Sequence, residues 1–328
     1  MRKTVQQPGR RGCSVLVCFA LLAGPAASQN PPKSEPPSSL ERATELASKG
    51  QCDEALPLLQ RLTPKAPKQS GPPAASLKYR ALMATVRCGL NRRDDQITTN
   101  ALLELKRDFP GDPEVLYKTS QIFLELAERA SQELTLAAPD SYQVQVLKAE
   151  SLESQEKWAQ AVEIYRKILE QHPNLRGIHY RVGHAAISQP ESPTSEEDAK
   201  KEFEQELSID PVNAAAEFWL GEIARRQGRW DAAIEHFSSA AKLDANFADA
   251  LLSLGTSLNS AGRPSDAIPP LEEYVKMSPR AIAGHYQLFL AYSRAGRNGD
   301  AQREMLIHKQ LVEKNDAKLN SPSAQPPR

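Results

Sequence analysis

The sequence predicts an all-α protein built as a solenoid of about eight helix-turn-helix repeats. Ala, Leu, Glu, Lys and Gln are abundant among the 328 residues, and these are good helix formers. Glycine occurs only 16 times and aromatic residues make up 6% of the chain, which disfavours the strands and tight turns of a β-sandwich or barrel. Two stretches match when one is moved by 34 residues, and part of the pattern occurs a third time at the same spacing.

The first 28 residues have the pattern of a secretory signal peptide. Four basic residues precede the apolar stretch 14–23, which is shorter than the roughly 20 residues that span a bilayer. Small residues at 26–28 supply a cleavage site before Gln29. The alternative is an uncleaved anchor, which the helix-breaking pair Gly24-Pro25 disfavours. The basic residues are Arg2, Lys3, Arg10 and Arg11.

The zero formal charge of the chain combines a basic leader and a mildly acidic remainder. All 41 basic residues balance 41 acidic ones, and removal of residues 1–28 leaves 37 against 41, a net charge of −4. This balance disfavours nucleic acid or an anionic membrane as a partner. We expect a proline-rich linker at residues 29–37, a repeat array at 38–313 and a disordered tail at 314–328.

The repeat has recurring landmarks. A glycine ends each first helix, at Gly228, Gly262 and Gly296. Ser or Asp then caps the second helix, and a small alanine follows where the two helices cross. These crossing alanines are Ala233, Ala267 and Ala301.

With a proline closing most copies, this pattern resembles the tetratricopeptide repeat, a 34-residue helix-turn-helix with small residues at positions 8 and 20. Position 8 is Gly183, Gly221 and Gly255, with Ala43 and Ala149 in earlier copies. The resemblance implies a right-handed superhelical solenoid with a concave groove lined by first helices. Three copies depart from the pattern, and the third, Asp112 to Pro139, is about five residues short and has no glycine turn.

On this resemblance, Cys52 begins the second helix of repeat one and Cys88 ends the first helix of repeat two, at one edge of the stack. We predict a disulfide between them, worth roughly 3–4 kcal/mol. The alternative is a pair of free or buried thiols. Two cysteines remaining in an exported chain fit the disulfide better.

No motif for catalysis, a metal or a cofactor is present, so we expect a non-enzyme with no catalytic residue, bound metal or cofactor. His179 and His184 are five residues apart, on different faces of a helix. Trp158, Trp219 and Trp230 are interpreted as packing residues.

The resemblance places positions 2, 5, 9, 12 and 13 of each repeat in the groove. This surface is mixed, with apolar anchors and arginines, and suits an extended or helical peptide segment. The alternative for each residue is packing against neighbouring turns. The predicted groove residues are Tyr180, Phe218, Glu222, Arg225, Arg226, Leu252, Asn259, Tyr286 and Arg294.

We therefore expect an exported, periplasmic or extracellular scaffold of bacterial type that binds protein or peptide partners without catalysis. One alternative is an accessory subunit that recruits substrate to a separate envelope enzyme, and another is an enzyme with an unrecognised site. We expect no membrane-spanning segment in the mature chain, and homo-oligomers can form at open solenoid ends.

Overall fold

The computed structural model describes residues 39–65, 76–189 and 195–319. Within these ranges the chain forms 15 α-helices and one short 3₁₀ turn, with no strand. The predicted all-α helical-repeat class is confirmed. Close contacts divide the chain into two compact units, with the boundary between Leu126 and Ala127.

Unit 1 contains two helix pairs and the first part of a long helix. In each pair the second helix packs on the first, and α3 packs on both helices of the preceding pair. A 3₁₀ turn at Thr63–Lys65 follows α2. The helices are α1 (Ser39–Ser48), α2 (Cys52–Leu62), α3 (Leu77–Arg92), α4 (Asp95–Asp108) and the start of α5 (Pro113–Ala137).

Unit 2 contains five helix pairs after the end of α5. Each second helix packs on its own first helix and on the next first helix along the chain. The helices are α6 (Tyr142–Ser154), α7 (Trp158–Gln171), α8 (Ile178–Ile187), α9 (Ser195–Ile209), α10 (Ala214–Arg226), α11 (Trp230–Leu243), α12 (Ala248–Ser260), α13 (Pro264–Met277), α14 (Ile282–Arg294) and α15 (Asn298–Leu319).

The small residues of the first helices allow the second helices to approach closely. A Cβ atom on Gly221 would lie 2.7 Å from the ring of Phe237, and one on Gly255 would lie 2.3 Å from Cγ of Leu271. Both second-helix side chains are 0% exposed. The position-8 glycines therefore set the helix spacing, because any larger side chain would displace a fully buried partner.

The turn between the two helices of a pair uses one left-handed residue. Gly50, Gly228, Gly262 and Gly296 hold it with φ between 71° and 79°. Two non-glycine residues occupy the equivalent place, Arg93 (φ 54°) and Glu156 (φ 59°). The turn geometry is therefore common to six pairs, although the glycine that signals it in the sequence is present in only four.

The prediction that the third repeat forms a helix-turn-helix is wrong. Residues 113–137 form the single helix α5, 25 residues long. No glycine or proline interrupts its interior, and Leu, Glu, Ala and Gln favour continuous helix. The described chain thus has seven helix pairs and one long helix, rather than eight pairs.

The predicted segments at both ends of the chain lie wholly or partly outside the described residues. The signal peptide, residues 1–28, and the linker, 29–37, lie outside them. Helix α15 continues to Leu319, beyond Glu313, where we expected the array to end. The rest of the predicted tail, 320–328, also lies outside the described residues, so the domain limits stay predictions.

The predicted disulfide is present in unit 1. Cys52 and Cys88 are bonded, with their Cα atoms 5.2 Å apart. The bond joins the first residue of α2 to α3, and both cysteines are buried, at 6% and 0% exposure. It therefore ties the first helix pair to the second.

Candidate functional site

The predicted groove residues recur on one face of the first helices of unit 2. They lie on α8, α10, α12 and α14, at equivalent positions of successive repeats. We call this surface the first-helix face. It consists of Tyr180, Phe218, Glu222, Arg225, Arg226, Leu252, Asn259, Tyr286 and Arg294.

The apolar members of the first-helix face differ in exposure. Tyr286 is 41% exposed, and its ring lies 5.4 Å from the ring of His308. Tyr180, Phe218 and Leu252 are half-buried. These side chains present surface to a ligand while their bases remain packed, which is the usual state of an interface anchor before binding.

Two members of the face are buried and hold neighbouring repeats together. The Glu222 carboxylate, 9% exposed, accepts hydrogen bonds from Arg225 and from Ser253 of the next first helix. The Asn259 amide, 3% exposed, donates to the carbonyl and side-chain oxygens of Gln287 at 3.0 and 3.1 Å. Glu222 and Asn259 therefore position adjacent helices, and only their neighbours remain open to a ligand.

Each arginine of the face uses part of its guanidinium group in a contact within the protein. Arg225 pairs with Glu222 at 2.7 Å, and this hydrogen bond raises the pKa of the guanidinium further. Arg226 is 44% exposed and lies 3.4 Å from Glu196. Arg294 donates to the Asn259 carbonyl at 2.8 Å. Each guanidinium keeps further donors for a partner, since arginine carries five.

A continuous row of rings runs from α7 to the α11–α12 turn, and Phe218 is its member on the first-helix face. Trp158 lies 6.1 Å from His184, and His184 lies 5.5 Å from Trp219, measured between ring centroids. Trp219 contacts Phe218 at 5.8 Å, and Phe218 contacts Phe247 at 4.9 Å. We call these five residues the aromatic row, and all of them are half-buried. The only sequence signal for Trp219 is that it directly follows Phe218.

A polar cluster lies beside the aromatic row. Arg181 on α8 pairs with Glu150 and, at 3.4 Å, with Glu153, both on α6. Burial raises the pKa of Glu153 despite the opposing charge of Arg181. Burial also raises the pKa of Tyr165, whose hydroxyl accepts a hydrogen bond from Arg181. The cluster links α6, α7 and α8 and adds acidic groups to this end of the face.

Three histidines join the two helices of their own repeat through a carboxylate. The Nδ1–Oε2 distance is 2.7 Å in each of the pairs His179–Glu202, His236–Glu217 and His285–Glu304. In the second pair the histidine lies on the second helix and the glutamate on the first helix, which is the reverse of the other two pairs. These histidines are engaged in packing contacts within repeats, and their carboxylate partners are too few to form a metal site.

Unit 1 has its own opening on the first-helix side. A cavity of about 710 Å³ lies between α1, α3 and the start of α5. Arg80 and Arg87 are exposed at its wall and have no ion-pair partner among the described residues. Met83 lies between them on α3. Sequence reasoning did not select these residues.

Among the described residues, no group of three or more His, Cys, Asp and Glu side chains is arranged to hold a metal ion. Within the same ranges, no helix combines the length and the apolar character needed to cross a bilayer.

The fold and this face define a helical-repeat protein of the class whose extended surfaces bind other proteins. A tetratricopeptide-repeat family model matches residues 143–175, and a second matches 197–246 and 223–282. Residues 143–175 and 197–282, all in unit 2, therefore match the tetratricopeptide repeat that the sequence pattern resembles.

Several solved structures are similar to parts of this chain. A crystal structure of MamA is 22% identical, covers 52% of this chain and 96% of its own, and has a TM-score of 0.47. The crystal structure of YrrB, described as a TPR protein with an unusual peptide-binding site, is 18% identical and covers 56% and 92%, with a TM-score of 0.47. No curated protein matches the sequence.

Proposed function

We propose that unit 2 binds a peptide segment of a protein partner along its first-helix face and acts as a non-catalytic scaffold. The aromatic row carries this proposal. Its rings are held by their neighbours yet remain partly exposed, so they can cover apolar side chains with little loss of side-chain entropy. Aromatic and arginine side chains are also the residue types that dominate binding energy at protein interfaces.

The charges around the row indicate the chemistry of the segment. Arg226 and Arg294 favour an acidic group at the α10–α14 end, whereas Glu150 favours a basic group at the α6 end. A segment with apolar residues between an acidic and a basic end therefore fits the face. Such a segment can be extended or helical.

We further propose that the protein works outside the cytoplasm, in a periplasmic or extracellular space and as part of an envelope assembly. The signal-peptide pattern of residues 1–28 supports export, and the Cys52–Cys88 bond supports an oxidising compartment. Fractionation of the source cells and mass measurement of the protein test this. We expect a chain beginning near Gln29 outside the cytoplasm, and a cytoplasmic chain beginning at Met1 would overturn the proposal.

Site-specific photo-crosslinking tests the binding face. A photoreactive amino acid replaces Tyr286, and a second protein carries it at Val212, which is 66% exposed in the turn before α10. We expect one discrete protein adduct from position 286 and none from position 212. The cross-linked segment of the partner, identified by mass spectrometry, is then synthesised as a peptide.

The affinity of this peptide for the parent protein and for variants of the face distinguishes specific binding from a chance cross-link. We expect the combined variant Phe218→Ala and Arg226→Ala, which removes one ring of the aromatic row and one arginine of the face, to weaken binding at least about 30-fold. This is the loss of two anchors worth roughly 1 kcal/mol each. The matched control, Val212→Ala with Lys276→Ala, changes exposed residues outside the face and should bind as the parent does. Equal affinity of the parent and the face variant would refute the proposal.

A further inference from the structure

The last repeat of unit 2 encloses a cavity of about 700 Å³. One side of it is the turn before α14 together with the first residue of that helix, and the other side is the second half of α15. The Nδ1 atom of His308 on α15 lies 3.2 Å from the carbonyl oxygen of Ile282, which joins the two sides. We call this cavity the terminal pocket, and its main lining residues are Arg280, Ile282, Ile307, Leu311 and Lys314.

Two apolar residues of the terminal pocket depart from the repeat pattern. At the 34-residue spacing, Ile282 stands where the preceding copy has Ala248, and Ile307 stands where it has Glu273. The preceding copy packs without a large apolar side chain at either place, so packing within a repeat does not require these isoleucines. Both side chains remain partly exposed and are available to an apolar ligand.

An extension of α15 forms one wall of the pocket. Helices α11 and α13 have 14 residues each, whereas α15 has 22, so residues 312–319 lie beyond the usual length. Lys314, Asn315 and Ala317 belong to this extension and line the pocket. The pocket is therefore a feature of the last repeat, and its volume lies in the range of about 300–1,000 Å³ that small-molecule sites occupy.

The charged residues of the terminal pocket are basic. Arg280 and Lys314 are both exposed, and within the described ranges neither has an ion-pair partner. No carboxylate is found among the described residues that line the pocket. A guanidinium and an ammonium group without counter-ions favour an anionic ligand group, and the amides of Gln310 and Asn315 add hydrogen-bond donors.

We propose that the terminal pocket binds a small amphipathic anion, the carboxylate of a long apolar chain such as a fatty acid. The apolar chain covers the two isoleucines and Leu311, and the carboxylate pairs with Arg280 and Lys314. Two turns of helix, roughly 10–12 Å across and about 11 Å long, would exceed the volume of the pocket, which favours a single chain over a partner helix. The site uses no residue of the first-helix face, so it can fail without the proposed peptide binding, and the reverse also holds.

Titration calorimetry of the purified protein with dodecanoate, below the concentration at which it forms micelles, tests the proposal. We expect one saturable site per chain, and the combined variant Arg280→Ala and Lys314→Ala should raise the Kd at least about tenfold by removing both cations. The matched control, Lys242→Ala with Lys309→Ala, removes the same charge from exposed positions of unit 2 outside the pocket and should bind as the parent does. Absence of saturable binding, or an equal Kd for the parent and the pocket variant, would overturn the proposal.

Two further measurements test the role of the chain and the place of binding. Hexanoate carries the same head group with six fewer methylene groups and should bind at least about 100-fold more weakly, whereas equal affinity would contradict an apolar chain site. Dodecanoate should slow hydrogen exchange at the start of α14 and in residues 307–317, and leave α10 and α11 unchanged. Protection confined to α8–α12 would place the ligand on the first-helix face and would also overturn the proposal.

Discussion

Reduction of the Cys52–Cys88 disulfide should selectively destabilise unit 1. The bond closes a loop with a sequence separation of 36 residues, and the loss of this constraint on the unfolded chain costs about 3.8 kcal/mol at 25 °C. Because a small domain is stable by only about 5–15 kcal/mol, this loss is a large part of the free energy of unfolding.

The positions of the tryptophans make the effect measurable. Trp158, Trp219 and Trp230 are the only tryptophans of the chain, and all lie in unit 2. Tryptophan fluorescence therefore reports on unit 2, whereas helical circular dichroism reports on both units. We expect dithiothreitol to move part of the urea transition seen by circular dichroism to lower urea and to leave the fluorescence transition in place.

Hydrogen exchange gives the local measurement. Amides of α2 and α3 should exchange faster after reduction, and those of α10 to α13 should not change. The variant with both Cys52→Ala and Cys88→Ala is the control, since its stability should not respond to the reductant. An unchanged circular dichroism transition in the reduced parent would refute the reasoning.

Three further changes test packing, charge and turn geometry. Gly255→Ala should lower the free energy of unfolding, measured in urea, by roughly 1–2 kcal/mol. The reason is that the clash with buried Leu271 exceeds the gain in helix propensity. Asp108→Asn should cost about 2 kcal/mol at neutral pH by removing the 2.6 Å ion pair with Lys78, and this cost should vanish in acid. Arg93→Gly should raise the melting temperature slightly, with a gain of about 0.5 kcal/mol, by relieving the left-handed backbone.

The sign of the pH effect follows from the pKa of Asp108. Burial raises this pKa, but the hydrogen bonds from Lys78 and Arg107 outweigh burial and lower it below the ordinary value. The carboxylate therefore stabilises the fold above the unfolded-state pKa of about 3.9, and the contribution is lost as the pH falls through the lower folded value. A difference between parent and variant that persists below this range would contradict the assignment.

Two matched variants serve as controls for the packing and turn-geometry predictions, Gly255→Ala and Arg93→Gly. Gly299→Ala places a methyl group with no atom within 4 Å, so it should not destabilise the protein as Gly255→Ala does. Gly228→Ala is the reverse of Arg93→Gly and should cost about 1 kcal/mol, since its φ is 71° and no clash contributes. Similar losses from Gly299→Ala and Gly255→Ala would argue against the packing explanation.

Sequence periodicity predicted the helix pairs well where the landmarks were complete. The turn glycines Gly228, Gly262 and Gly296 and the crossing alanines that follow them identified the pairs from α10 to α15, because the same turn recurs in each copy. The signal failed in residues 113–137, where a short copy without a glycine turn became one helix. Local propensity favoured continuous helix there, and no residue in the interior opposed it.

The candidate site was predicted only in part. The groove positions select side chains that recur on one face of the first helices, including exposed Tyr286, and their role in binding stays a prediction. They also selected Glu222 and Asn259, which are buried because their side chains bond to the neighbouring repeat. A position in a repeat gives the direction of a side chain, but its exposure depends on the residues that the next repeat brings beside it.

The sequence by itself determined the helical class, the repeat length and the small residues at helix crossings, because these depend on contacts that recur at one fixed spacing. The pairing of Cys52 with Cys88 also followed from repeat positions. Only the tertiary structure showed that Arg93 and Glu156 adopt the left-handed turn, and that rings from three helices and the α11–α12 turn join in one row. Each of these depends on which side chains meet across helices, and spacing along the chain does not contain that information.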